Sequence, residues 1–250
     1  MALDAVAAAT AAAGGPRTVR VYRWEPATLS LGYRTDPEVV DWAFCEREGI
    51  DVVRRPTGGG AIYHDTDGDV SYSVIAPTEE LPDDLMATYE LLCEPLLTAC
   101  ERLGVPARFA DDPLPALYEP ACYLRAVDPA HDVVVGDRKL SGNAQYRRRE
   151  SVVQHGSLTY RTPPDRSLGC FRSPGITPET FDDRVTDVAR ESGSGASRAE
   201  TVAALEDALA EWADAETREW TDAELERARE LAARKFDTEA WTRDREDPTG

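Results

Sequence analysis

The alternation of apolar and polar residues predicts a series of short strands in the first third of the chain. Residues 18–24, TVRVYRW, and residues 27–33, ATLSLGY, alternate with a period of two, which is typical of strands with one buried face. After the glycine run, AIYHD, residues 61–65, and VSYSVIA, residues 70–76, predict two further strands. A shorter run, DVVRRP, ends at Pro56 and also favours a strand.

Three segments of the N-terminal half have helical patterns instead. Residues 2–13 are alanine-rich and precede a Gly-Gly-Pro stop. Residues 37–48 favour a short helix, with Asp36 as its N-cap and a proline at the first helical position. Residues 85–103 repeat apolar side chains at helical spacing, and a kink is expected at Pro95.

The second half begins with further strand patterns. ARFADDPL, residues 107–114, predicts a strand followed by a loop. HDVVVGDRKLSGNAQ, residues 131–145, predicts two strands joined by a turn near Gly136, and residues 151–160 predict one more. Many short strands around one long helix indicate an α+β sheet domain.

The C-terminal part has a different character. After the small-residue linker ESGSGASRAE, Ser197 with Glu200 and Thr221 with Glu224 form two capping-box patterns, each before an acidic helical segment. We therefore expect one catalytic domain over residues 1–250, with residues 176–250 as its mainly helical C-terminal part and no separate accessory domain.

The composition indicates which partners and which environment to expect. The chain has a formal net charge of −19, with 26 arginines but two lysines. Such an acidic surface repels nucleic acid and anionic membranes, so neither is expected as a partner. The excess of acidic residues with almost no lysine is typical of halophile proteins. The net charge then reflects a high-salt environment and not a basic partner, because concentrated salt screens surface fields.

The cysteines and the apolar runs predict a cytoplasmic protein. Five cysteines at wide spacings form no Cys-x-x-Cys pair, which argues against a zinc site or a disulfide framework and favours reduced thiols. The N-terminal alanine-rich stretch lacks the basic start of a signal peptide, and no apolar run reaches the length of a membrane span.

RRPTGGGAIYHD, residues 54–65, is the first stretch that could carry chemistry. Three consecutive glycines allow another group to approach the backbone closely, and successive N–H groups in such a loop can bind an anion. Arg54 and Arg55 add charge able to hold a carboxylate or phosphate. The motif is neither a Walker A loop nor a dinucleotide fingerprint. A glycine hairpin with surface arginines is the plainer interpretation, but His64 and Asp65 beside it favour a functional loop.

GDRKLSGNAQ, residues 136–145, is the second stretch. Most lysines are solvated surface residues, but this chain uses arginine for nearly every positive charge. A lysine retained at Lys139 therefore favours a specific task, such as contact with one phosphate or carboxylate oxygen. Lys235, in a helical pattern, has the plain surface interpretation.

Three further side chains stay open on residue chemistry alone. His155, in QHGSL, is either a hydrogen-bonded core residue or a site residue. His131-Asp132 is either a metal-binding pair or a strand edge. Cys122, in EPACY, becomes a nucleophile only if its pKa is lowered, and an inert buried thiol is the default for all five cysteines.

Together these stretches resemble the lipoate–protein ligase A family of the biotin/lipoate protein ligase superfamily. RRPTGGGAIYHD matches the family's Arg-Arg-x-x-Gly-Gly-Gly-x-x-x-His-Asp signature, and GDRKLSGNAQ matches its lysine motif. MALD, VYRWEPATLSLGY, QHGSL and ELAARKFDTEAW resemble its other segments in the family order. The resemblance covers nearly the whole chain and implies the class II synthetase-like fold, a mixed, mostly antiparallel sheet packed with helices.

The resemblance implies a lipoate–protein ligase that uses ATP and Mg²⁺ to form lipoyl-adenylate and then modifies a lysine of a lipoyl domain. Lys139 would contact the carboxylate and the α-phosphate, and Asp132 would lie near the magnesium. The implied acceptor is the lipoyl domain of a 2-oxoacid dehydrogenase acyltransferase subunit or the glycine cleavage H protein, and a separate accessory protein is possible. The residues implied to bind substrate or ATP are Arg55, Gly58, Gly59, Gly60, Ala61, Ile62, Tyr63, His64, Ser141, Gly142, Ala144 and His155.

The chain also resembles a sister group, the cysteine-dependent octanoyl- or lipoyl-transferases. In that group a cysteine upstream of the lysine motif forms an acyl thioester and no ATP is used, and Cys122 lies at about that place. The glycine motif favours the ligase, so ATP-dependent ligation is the main expectation and transfer through Cys122 the alternative. An adenylate- or lipoate-binding module without turnover and a biotin ligase are further, less favoured alternatives.

Overall fold

The computed structural model describes residues 1–127, 132–193 and 195–249. Within these residues, the strands form two sheets. The larger sheet has six strands in the order β1-β5-β9-β8-β7-β6, and each neighbouring pair is antiparallel. The smaller has three strands in the order β3-β2-β4, with β2 parallel to β3 and antiparallel to β4. The strands are β1 Thr18–Tyr22, β2 Thr28–Leu31, β3 Asp51–Arg54, β4 Ile62–His64, β5 Asp69–Pro77, β6 Arg108–Phe109, β7 Val133–Val135, β8 Arg138–Arg147 and β9 Ser151–Thr159.

Helices cover both sheets. The α-helices of the described chain are α1 Ala2–Ala12, α2 Trp42–Arg47, α3 Leu85–Arg102, α4 Pro164–Gly169, α5 Pro178–Arg184, α6 Val188–Glu191, α7 Arg198–Ala213 and α8 Asp222–Leu231. Short 3₁₀ turns occur at Pro37–Val39, Thr78–Glu80 and Cys122–Leu124, and two π-helical turns, Ala232–Phe236 and Ala240–Asp244, follow α8. Both predicted capping boxes are present, at the starts of α7 and α8.

The core lies in two main clusters that follow from the sheets. One packs the larger sheet against α3 and α7 and includes Tyr72, Leu96, Leu140 and Leu205. The other surrounds the smaller sheet and also takes in the turn Cys122–Leu124. Because the turn lies at the edge of this second cluster, apolar packing helps to fix its position between the sheets.

The prediction of an α+β fold with a mostly antiparallel sheet is confirmed. The helix expected over residues 37–48 is two elements instead. Asp36 caps a 3₁₀ turn, Val40 is extended (φ −81°, ψ 132°), and the Asp41 side chain then accepts from Phe44 N at 2.9 Å to start α2. Two successive aspartate caps therefore divide the segment, whereas α3 continues through the buried Pro95.

Within the described residues, no helix has the length and apolar character needed to cross a bilayer.

Replacing Leu140 by alanine is expected to lower the free energy of unfolding by about 2–5 kcal/mol, because Leu140 is fully buried where β8 faces the helices. Denaturant unfolding followed by circular dichroism measures the change. Leu85→Ala is the matched control, since Leu85 is 46% exposed, and it should change stability by less than about 0.5 kcal/mol. Equal effects of the two substitutions would contradict this assignment of the core.

Candidate active site

Cys122 lies where the glycine motif meets the turn Cys122–Leu124. Ala61 N donates to the carbonyl of Pro120 at 2.6 Å, and Cys122 N donates to the carbonyl of Ala61, also at 2.6 Å. Of the five cysteines, all in the described chain, four are buried and Cys122 is the one with partial exposure. Its sulfur lies over Gly142 on β8, where a Cβ atom would come within 3.0 Å of Sγ. The glycine at 142 therefore makes room for the thiol.

Lys139 reaches the same turn from β8. Its side chain is 2% exposed, and its Nζ lies 3.1 Å from Asp132 Oδ1. The ammonium also donates to the carbonyls of Cys122 at 3.2 Å and Ala126 at 3.5 Å. Two of its three contacts therefore belong to the segment that carries Cys122, so the lysine fixes the main chain beside the thiol.

The glycine loop, residues 58–60, contacts the other side of the turn. A Cβ atom at Gly60 would lie 2.7 Å from the carbonyl oxygen of Pro120 and 2.9 Å from Cys122 N, so only glycine allows this approach. Gly59 has φ +87°, a conformation that also favours glycine. Cys122 is thus held between the backbone of the glycine loop and the ammonium of Lys139.

Arg55 holds the glycine loop from inside. Its guanidinium donates to the carbonyls of Ser30 at 2.7 Å, Gly58 at 2.8 Å and Gly60 at 2.6 Å. Burial lowers the pKa of Arg55 to about 10, opposed by the nearby Cys122, so the guanidinium stays charged at neutral pH. Its hydrogen bonds shape the loop, and its role toward a ligand stays a prediction.

His64 lies in a buried polar network that the sequence analysis missed. Its Nδ1 is 3.0 Å from Asp69 Oδ2, and its ring stacks on Trp24 with centroids 4.6 Å apart. Asp69 also accepts from Ser71 at 2.6 Å and from Ser157. The Tyr123 hydroxyl meets Ser157 at 3.4 Å, so the network reaches the residue next to Cys122. His64 comes from β4 of the smaller sheet, whereas Asp69 and Ser157 come from β5 and β9 of the larger one, so the network joins the two sheets.

The other predicted binding residues lie on β4, β8 and β9. Ile62 and Tyr63 are buried in β4, and the Tyr63 hydroxyl donates to Asp65 at 2.9 Å. Ser141 and Ala144 lie on β8, where Ala144 pairs with His155 of β9. The structure therefore brings most of the predicted residues to the strands around Cys122 and Lys139.

His155 faces the start of the glycine loop, where its Nε2 lies 2.7 Å from Thr57 Oγ1. Burial, together with the positive charge of Arg55, lowers the pKa of His155 to about 3. The imidazole is therefore neutral at physiological pH. A neutral ring can share the hydrogen bond with Thr57 and adds no positive charge to the site.

The predicted magnesium position fits a metal poorly. Asp132 forms the ion pair with Lys139, and the described residues contain no group of three His, Cys, Asp or Glu side chains able to hold a metal ion. His131 lies outside the described residues. The carboxylate therefore serves to balance the buried ammonium.

Comparisons with known proteins establish the family. The chain belongs to the lipoyl protein ligase A/B catalytic domain family, whose model matches residues 1–210. It is 33% identical to octanoyltransferase LipM of Kyrpidia tusciae over 241 residues, which span 90% of this chain and 86% of that protein. Further curated relatives with the same name have identities between 28% and 37%.

Solved structures support the same fold. A lipoate–protein ligase A bound with ATP superposes with a TM-score of 0.79 and 27% identity, covering 97% of this chain and 92% of that one. The bipartite lipoate ligase of Thermoplasma acidophilum, solved with its E2 lipoyl domain, superposes with a TM-score of 0.76 and 26% identity, covering 97% of this chain and 89% of that one. The ligase-like fold expected from the sequence is confirmed.

The expected ATP-dependent ligation is wrong, and so is the assignment of ATP and Mg²⁺ as cofactors. The curated relatives are named octanoyltransferases, not ATP-dependent ligases. The glycine and lysine motifs misled the prediction because they belong to a scaffold that both chemistries share. The alternative, acyl transfer, is the one that the relatives favour.

The folded protein should lose stability as pH falls from about 6.5 toward 3, because the pKa of His155 is near 3 in the fold against an ordinary 6.5. Protonation of His155 then favours the unfolded chain, and the free energy of unfolding falls by at most about 1.4 kcal/mol per pH unit. We expect the free energy of unfolding of His155→Gln to depend less steeply on pH between about pH 6.5 and 5, where most carboxylates stay ionised. Urea unfolding at a series of pH values measures both slopes, and identical slopes would refute the shift.

Proposed function

We propose that the chain is a protein octanoyltransferase that carries its acyl group as a thioester on Cys122. The observation that carries this proposal is the placement of the one partly exposed thiol, with its main chain fixed between the glycine loop and the Lys139 ammonium. The names of the relatives indicate that the transferred group is octanoyl, and the thiol of Cys122 is a nucleophile able to accept it.

The first step is a thiol–thioester exchange. The Cys122 thiolate attacks the carbonyl carbon of an octanoyl thioester, a new C–S bond forms, and the carrier thiol leaves with the proton that Cys122 gave up. Negative charge develops on the acyl oxygen in the transition state. The buried ammonium of Lys139 donates to the Cys122 carbonyl at 3.2 Å, so its positive charge lies beside the main chain of the nucleophile and favours the developing negative charge.

The second step is aminolysis. The neutral amine of an acceptor lysine attacks the Cys122 thioester, an amide bond forms, and the Cys122 thiol is regenerated. Because both steps exchange one acyl bond for another, neither requires ATP. Cys122 also lies in apolar surroundings, since it packs against the cluster around the smaller sheet.

The acceptor in this proposal is a lipoyl domain, of a 2-oxoacid dehydrogenase acyltransferase subunit or of the glycine cleavage H protein. Support comes from the T. acidophilum ligase, a structural neighbour solved with its E2 lipoyl domain. Partial exposure of Cys122 is consistent with a lysine that arrives from another protein.

Cys122→Ser should abolish thioester formation, because a serine hydroxyl lacks the acidity and nucleophilicity of a thiol. Intact-protein mass spectrometry after incubation with octanoyl thioester, without ATP, should show one added octanoyl group on the native protein and none on the variant. Cys100→Ala removes a fully buried thiol and is the matched control that should still be acylated. Undiminished transfer to a lipoyl domain by the serine variant, or transfer that requires ATP, would overturn the proposal.

Lys139→Arg should lower the rate of transfer roughly 10²–10³-fold, the usual effect of losing one group that stabilises the transition state. The broad, planar guanidinium cannot take the place of a compact ammonium between two carbonyls and a carboxylate. Single-turnover transfer measures the rate. Arg138→Gln, at the more exposed neighbour on β8, is the control and should retain near-native activity. A native rate in Lys139→Arg would remove the lysine from the mechanism.

A further inference from the structure

The C-terminal residues form a strap that lies beyond the segment matched by the family model, which ends at residue 210. We call residues 232–249 the C-terminal strap. It contains the two π-helical turns, and it buries Phe236, Trp241 and Thr242 against the rest of the protein. A terminal segment with three buried side chains is more firmly held than most chain ends.

The strap is joined to the end of β3 by a reciprocal pair of hydrogen bonds. The indole Nε1 of Trp241 donates to the Arg54 carbonyl at 2.7 Å. In return, Arg54 Nε donates to the carbonyl of Thr242 at 2.8 Å. All four groups are buried, so water offers no replacement for a lost partner.

Arg54 carries the contact onward to the loop after β2. Its Nη1 lies 2.9 Å from the carbonyl oxygens of Gly32, Tyr33 and Thr35. That loop in turn contacts the glycine loop, because Tyr33 N donates to Thr57 O at 2.8 Å. At Gly32, a Cβ atom would come within 2.1 Å of the Gly59 carbonyl oxygen.

Two cations stabilise the strap, one by contacts within it and one where it meets α2. Lys235 places its ammonium 4.2 Å from the centre of the Trp241 ring and 2.5 Å from Asp247. Arg243 lies 3.8 Å from the ring centre of Trp42 on α2. The second of the two lysines in this chain is therefore also engaged in a specific contact, with a side chain that is 13% exposed.

We propose that the strap sets the shape of the glycine loop, with Trp241 as a positioning residue for the acyl-transfer site. The path of contacts runs from Trp241 to Arg54, from Arg54 to the loop after β2, and from there to the glycine loop that borders Cys122. The effect on catalysis rests on the proposed transferase function, whereas the effect on the loop itself does not.

Trp241→Phe tests the proposal, because it keeps an aromatic ring and removes the donor to Arg54 O. Trp212→Phe is the matched control. The Trp212 indole on α7 also donates one hydrogen bond, to the Glu94 carboxylate on α3 at 3.3 Å, and this bond is exposed. Amide hydrogen exchange of residues 57–61 should become roughly tenfold faster in Trp241→Phe, as expected when a buried carbonyl loses its donor. The control should leave exchange unchanged.

Asp247→Asn is a milder variant that weakens the ion pair with Lys235 inside the strap without changing the core. Asp247 is partly exposed, so this variant should fold like the native protein and show a smaller increase in exchange over residues 57–61. If both strap variants exchange like the native protein in this segment, the proposal is wrong.

The catalytic consequence is measured separately. In Trp241→Phe, transfer from an octanoyl thioester should show a reduced kcat with a nearly unchanged KM, because the donor still binds but meets a less ordered thiol. Equal kcat values in Trp241→Phe and Trp212→Phe would overturn the link to catalysis. If the native protein forms no adduct on Cys122, the proposed function fails, and the exchange data still decide whether the strap orders the loop.

Discussion

The site depends on the burial of one ammonium group. A buried charge is stable only when it is paired and fully hydrogen-bonded. Lys139 meets this condition through the Asp132 carboxylate and two main-chain carbonyls, those of Cys122 and Ala126. Because one carbonyl belongs to the turn that carries the thiol and the other to the residues just after it, the lysine can be buried only when that segment is in place. The same contacts that stabilise the charge therefore position Cys122.

Buried positive groups hold main-chain oxygens in place. The chain is strongly acidic, and its buried ionic side chains include the cations Arg54, Arg55 and Lys139 as well as carboxylates such as Asp69 and Asp132. The two arginines bond mainly to backbone carbonyls and hold loops, while the lysine holds the turn around the thiol. In the proposed acyl transfer, the ammonium beside Cys122 favours negative charge on the acyl oxygen.

Sequence reasoning could predict much of the fold and part of the site. Period-two alternation located most strands, and the glycine and lysine motifs identified the two segments that enclose Cys122, because such motifs depend on local backbone needs. The network of His64, Asp69, Ser157 and Tyr123 was missed, since it joins two sheets and a turn that meet only in the tertiary fold. The reaction was mispredicted because the shared motifs describe the scaffold, whereas the thiol that favours transfer is one unremarkable cysteine among five.

Gly142 limits how the surroundings of Cys122 can be altered by mutation. With a Cβ atom, position 142 would come within 3.0 Å of the Cys122 sulfur, which is tighter than most side-chain contacts. Even alanine would therefore require the thiol to shift by a few tenths of an ångström. A redesign of this region has to keep glycine at 142 and place its changes at residues that do not touch the sulfur.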